Sequence, residues 1–141
     1  MPAKDVVSKL FDLWEKGDSS PFFEALAPDV VWIVSGNTPI SGTYHGKQVY
    51  LEKVYKPLLA VFNGPTKCHV RRILGDGDTV AVEWHGETPT TTGFHYSMNY
   101  CWLIRVREDG KAIQEVTGYY DTAMVNALFA DATLDSPAGA V

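Results

Sequence analysis

The chain has 141 residues, the size of one domain, which excludes a multidomain machine. Hydrophobic residues make up 45% and aromatic residues 12% of it, enough for a sizeable core, so intrinsic disorder of the main body is excluded as well. A balance of 12 Lys and Arg against 17 Asp and Glu gives a formal charge of −5, which works against attraction to phosphate backbones or anionic membranes, and no nucleic-acid or membrane partner is expected.

In chain order, Val6, Val7, Leu10, Phe11 and Trp14 recur at helical spacing while Lys4, Asp5, Lys9 and Asp12 fall elsewhere, which predicts an amphipathic helix stopped at Gly17. Ser20 followed by Pro21 reads as an N-cap with proline at the first helical position, opening a short helix that ends before Pro28. Residues 29–35 are β-branched and aromatic and predict a strand, closed by Gly36-Asn37-Thr38-Pro39. Residues 41–46 read as a turn. From Val49 to Phe62 the apolar residues keep helical period, and Pro57 is expected to kink or split that helix.

Beyond Pro65 the pattern turns to strands over residues 66–74, 79–87, 94–107 and 112–120, joined by turn-rich runs such as Gly75-Asp76-Gly77-Asp78 and Glu108-Asp109-Gly110-Lys111. Asp121 then caps a last helix over 122–129, and residues 130–141 are expected to form a flexible tail. The whole reads as a single α+β domain over residues 1–129, with helices on the concave face of a curved antiparallel sheet shaped like a cone that can enclose a pocket.

Alternation along the strands sorts the candidate pocket residues. In residues 94–106 the even positions Phe94, Tyr96, Met98, Tyr100, Trp102, Ile104 and Val106 form an unbroken apolar stripe that must be buried. The odd face, with Cys101 and Leu103 at its middle, suits solvent or a subunit interface. In residues 79–87, Val80, Val82 and Trp84 oppose Glu83, His85 and Glu87, and alternation alone leaves the inward side open. With the first set inward the charged residues are merely solvated. With the second inward, an imidazole and a carboxylate sit two residues apart as a proton-handling pair.

The order of elements, the Gly17-Asp18 break, the Leu26-Ala27-Pro28-Asp29-Val30 strand entry, the Ser41-Gly42-Thr43-Tyr44-His45-Gly46-Lys47 turn, Gly110-Lys111 and the closing Gly118-Tyr119-Tyr120-Asp121-Thr122 together carry a resemblance. The chain resembles the SnoaL-like branch of the nuclear transport factor 2-like superfamily, with its cystatin-like α+β barrel, over about residues 6–129. That branch includes ketosteroid isomerases, limonene epoxide hydrolases, scytalone dehydratases and polyketide cyclases. The ketosteroid isomerase residues fall on Leu10, on Ile33 or Val34, and on Trp102, none of which handles a proton. The epoxide hydrolase aspartate falls on Gly118, its Arg-x-Asp pair on Glu83 and His85, and its strand-one residues on Trp32 and Val34.

The resemblance implies that these positions face a pocket, which turns Glu83 and His85 inward beside Trp32, Val34, Met98, Tyr100, Trp102 and Tyr120. His85 is then the expected general acid or base, assisted by Glu83, with the six others as the substrate-binding wall; a structural Glu-His ion pair is the plainer alternative. Asp121 reads first as a helix cap, although the cyclases are similar in placing an acid/base aspartate near their last strand. His45, His69 and His95 read as solvated.

The four histidines show no metal-binding spacing and no Gly-rich loop opens a helix after a strand, so no metal and no nucleotide cofactor is expected. Cys68 and Cys101 lack CxxC spacing, and no disulfide is expected. Residues 1–9 contain no apolar signal region, which points to a cytoplasmic protein. Two functions fit these residues: a cofactor-free acid/base enzyme of isomerase, cyclase, dehydratase or epoxide hydrolase type acting on an apolar or polycyclic metabolite, or a noncatalytic ligand-binding or dimeric interaction domain. The resemblance further implies a homodimer.

Overall fold

The computed structural model describes residues 2–135, and the side chains of residues 2–132. Helix α1 (Ala3–Glu15) buries Ala3, Val7, Phe11 and Trp14, the stripe that its sequence period dictates. The chain reverses through Gly17, and the Ser20 amide donates to Asp18 Oδ1 at 3.0 Å as α2 (Ser20–Glu24) begins; the cap residue is Ser19, one position before the expected one.

A six-stranded sheet follows, ordered β2-β1-β6-β5-β4-β3. Its strands are β1 (Leu26–Val34), β2 (Gly42–His45), β3 (Lys67–Asp76), β4 (Thr79–Thr88), β5 (Tyr96–Val106) and β6 (Ile113–Tyr119). The meander β3 to β6 is antiparallel, as expected. Two features extend that expectation. Strand β1 pairs parallel with β6, Trp32 opposite Val116, so the sheet is mixed. Residues 42–45, expected as a turn, form the edge strand β2, antiparallel to β1. Its four residues are mostly exposed, begin with Gly42 and run into Gly46, so only pairing identifies them as a strand.

The segment between β2 and β3 is helical over α3 (Lys47–Tyr50), a π turn (Leu51–Tyr55) and α4 (Lys56–Val61). Pro57 has no N–H to offer the preceding turn and its ring crowds that turn's carbonyl, which accounts for a widened turn where a kink was expected. Helix α5 (Thr122–Asp135) continues six residues past the expected end at 129, and Thr92 Oγ1 donates to Asp131 at 2.5 Å there. The rest of the expected tail lies outside the described residues.

The core lies between the helices and the concave face of the sheet, with Phe11, Phe22, Trp32, Trp84 and Ile104 fully buried. No helix among the described residues is long and apolar enough to cross a membrane.

Candidate functional site

Alternation on β5 is borne out: Tyr96, Met98, Tyr100, Trp102, Ile104 and Val106 are all buried. The ladder places Trp84 opposite Tyr100 and Val82 opposite Trp102, so the inward side of β4 is Val80, Val82 and Trp84. Glu83 and His85 therefore lie on the outer face, a correction to the inward placement that the resemblance implies. The physical reason is plain: turning the strand over would bury two carboxylates and an imidazole while exposing Trp84. A one-residue offset in carrying positions along a strand exchanges its two faces and suffices to produce that inversion.

On the outer face the two residues are held separately. A bulge in β3 between Val70 and Arg72 brings both Arg71 and Arg72 to Glu83, with Nε to Oε1 distances of 3.7 and 3.0 Å. These are ion pairs without an aligned hydrogen bond to Oε1. His85 Nδ1 lies 2.8 Å from Asn99 Oδ1 and its Nε2 lies 2.8 Å from Ser97 Oγ, with Glu87 3.5 Å away. Asp121 is exposed and its Oδ1 accepts from the Met124 amide at 3.2 Å, the geometry of a helix cap.

The concave side encloses a cavity of about 170 Å³. Tyr100, Trp102 and Tyr120 from the expected wall line it, whereas Trp32, Val34 and Met98 are buried outside its lining. Trp32 backs the wall, stacked on Tyr50 at 4.1 Å and edge-on to Trp102 at 5.1 Å. Tyr96, on the apolar stripe that alternation marked as buried, and Trp84, on the side of β4 that alternation left open, complete the sheet side. The contribution that strand alternation could not supply comes from the helical segment 47–61, through Tyr50, Val54, Tyr55 and Leu58. Its sequence signal was the helical period that runs across Pro57.

Two glycines make room for this wall. A Cβ at Gly86 would lie 2.8 Å from both Trp84 and Tyr100, whose rings stack at 4.0 Å and 9°. A Cβ at Gly118 would collide with the Tyr120 phenol, 2.6 Å from its Cζ. The Tyr120 oxygen accepts from the Trp32 indole N–H at 3.3 Å, and the Trp102 indole sits beside the same oxygen without an aligned hydrogen bond. The Trp84 and Trp102 N–H groups are buried and unpartnered among the described residues, each at a cost of about 1–3 kcal/mol.

Burial pushes the phenols of Tyr50, Tyr100 and Tyr120 far up and that of Tyr96 to about 12. They stay protonated at neutral pH, so they donate hydrogen bonds and take no protons. Among the described residues no group of three or more His, Cys, Asp or Glu is placed to hold a metal ion.

Residues 7–115 match the family model of the SnoaL-like domain. The chain belongs to the SnoaL-like domain family. No curated protein sequence matches this SnoaL-like chain. Among solved structures it is similar to a nuclear transport factor 2-like protein from Burkholderia thailandensis, with 18% identity, a TM-score of 0.74 and coverage of 92% of this chain and 98% of the other. It is also similar to a Xanthomonas campestris protein of cystatin-like fold, with 24% identity, a TM-score of 0.71 and coverage of 91% and 98%. A third, TerC co-crystallised with polyporic acid, shows 18% identity, a TM-score of 0.71 and coverage of 92% and 99%. At these identities the likeness is one of fold. In this SnoaL-like domain the position that resembles the epoxide hydrolase aspartate is Gly118, and the volume a side chain would need there is filled by the Tyr120 phenol.

Proposed function

We propose that this SnoaL-like protein binds a small, flat, apolar molecule in its aromatic cavity, and does so in the cytoplasm, where its two free thiols Cys68 and Cys101 would stay reduced. The observation that carries this reading is the chemistry of the lining. Five tyrosines, Tyr50, Tyr55, Tyr96, Tyr100 and Tyr120, line the cavity, and among the described residues no Asp, Glu, His, Lys, Arg or Cys does. Such a wall is complementary to aromatic rings and neutral polar groups. It supplies no side-chain base, which favours ligand binding over the isomerase, cyclase, dehydratase or epoxide hydrolase chemistry assigned to His85, Glu83 and Asp121. Any turnover would be cofactor-free and would draw on hydrogen-bond donation to a developing oxyanion.

Size narrows the ligand. A buried apolar cavity of roughly 150 Å³ holds one benzene ring. The present cavity, at about 170 Å³, therefore suits one ring or two fused rings better than a polycyclic skeleton.

Isothermal titration calorimetry with indane tests the proposal. Saturable binding is expected in the wild type. Leu58→Trp, which fills the cavity from α4, is expected to abolish it while circular dichroism stays unchanged. Equal binding in both proteins would move the site elsewhere.

The homodimer belongs to the same reading. Leu74, Ala81, Leu103 and Thr117 form one cross-strand row on the outer face, with Leu74 60% and Leu103 37% exposed, and Cys101 lies beside Tyr119 in a neighbouring row. Two sheets packed back to back would cover that surface. Light scattering that gives the mass of a single chain would defeat the dimer and leave the cavity reading intact.

A further inference from the structure

We infer that the ligand carries a neutral carbonyl-type oxygen and that Tyr120 donates the hydrogen bond that receives it; this rests on the cavity-binding reading above. A phenol has one proton to give and two acceptor positions. On Tyr120 one acceptor position takes the Trp32 N–H at 3.3 Å, and the Trp102 indole crowds the same oxygen. The hydroxyl proton is thereby turned away from the indoles, and no hydrogen bond donated by Tyr120 is formed among the described residues. Tyr120 nevertheless lines the cavity and keeps part of its surface accessible.

The phenol is also fixed in place. The absent side chain at Gly118 leaves the space it occupies, and the Tyr100 ring meets it edge-on at 5.6 Å and 82°. A donor held in this way, with its acceptor side already engaged, selects a ligand acceptor over a ligand donor. Tyr100 is less suited to the role, because the Tyr96 hydroxyl lies beside its own. The acceptor should be neutral: among the described residues no Arg, Lys or His lines the cavity to balance a carboxylate or phenolate. A ring ketone meets these conditions.

The test compares indane with 1-indanone, which differ by one carbonyl, in the wild type and in Tyr120→Phe. One uncharged hydrogen bond predicts that the wild type binds 1-indanone about fivefold to tenfold more tightly than indane. Tyr120→Phe is expected to bind the two equally. No preference in the wild type, or an equal preference in Tyr120→Phe, overturns the assignment and leaves cavity binding standing. Binding of neither probe to the wild type overturns both.

Should Tyr120→Phe not fold, the infrared carbonyl band of 1-indanone bound to the wild type decides. A shift to lower wavenumber than in hexane is expected, and an unshifted band for the bound probe overturns the assignment.

Discussion

At the scale of single residues, a methyl group added at Gly86 or Gly118 bears directly on the cavity. At Gly86 it would meet two stacked rings that are themselves buried, and neither can retreat without disturbing the wall. At Gly118 it would displace the phenol that Trp32 holds. Both substitutions are overpacking changes, so Gly86→Ala and Gly118→Ala should each lower the unfolding free energy by about 1–3 kcal/mol in urea titrations. Gly118→Ala should in addition weaken 1-indanone more than indane. Equal losses for the two probes would mean that the cavity had collapsed rather than that one donor had moved.

At the scale of elements, β4 teaches the most about what the sequence could tell. Val80, Val82 and Trp84 alternate against Glu83, His85 and Glu87, and burial follows the apolar set. Alternation alone left the choice between the two sets open, and a resemblance carried along the strand pointed to the wrong one. Glu83→Gln with His85→Ala should therefore leave indane affinity as in the wild type. It should also change stability by no more than about 0.5 kcal/mol, since the ion pairs of Glu83 are part exposed and screened. A loss of indane binding in that double variant would show that the outer face reaches the cavity.

Helix α1, the four-strand meander and the Asp121 cap were legible because each rests on local period or turn chemistry. Strand β2 was not, since its four residues, mostly exposed and opening on Gly42, carry turn signals and become a strand only beside β1. The helical side of the cavity was half legible. The period through Tyr50, Val54 and Leu58 showed a buried face, but nothing in it showed that the face lines an empty space.

At the scale of the whole molecule, the protonated phenols tie stability to alkaline pH. Phenols in an unfolded chain ionise near pH 10, roughly two pH units below the value of about 12 for folded Tyr96, and Tyr50, Tyr100 and Tyr120 are raised too. Cys68 adds a thiol raised from 9.0 to about 12 by burial and by the nearby Glu15. Over that window the unfolded chain binds fewer protons than the folded one, so the contribution of these groups falls as pH rises and is fully present below about pH 9. Urea midpoints should decline from about pH 9 upward, and phenolate absorbance from the buried tyrosines should appear only together with unfolding. Phenolate signal from more than the exposed tyrosines in a still-folded protein near pH 10 would contradict the buried wall.

The parallel pairing of β1 with β6 has a consequence for how the molecule is made. Translation delivers Trp32 first, and its hydrogen-bond partner Tyr120 follows 88 residues later. At cellular elongation rates that interval is roughly 4–18 s, far longer than a helix or hairpin needs to form. Throughout it β1 can pair only with β2, leaving Val30, Trp32 and Val34 without the sheet that buries them. Until β6 is made, the apolar side of β1 lacks the neighbouring strand that completes its cover. It is the part of this protein that a chaperone would meet.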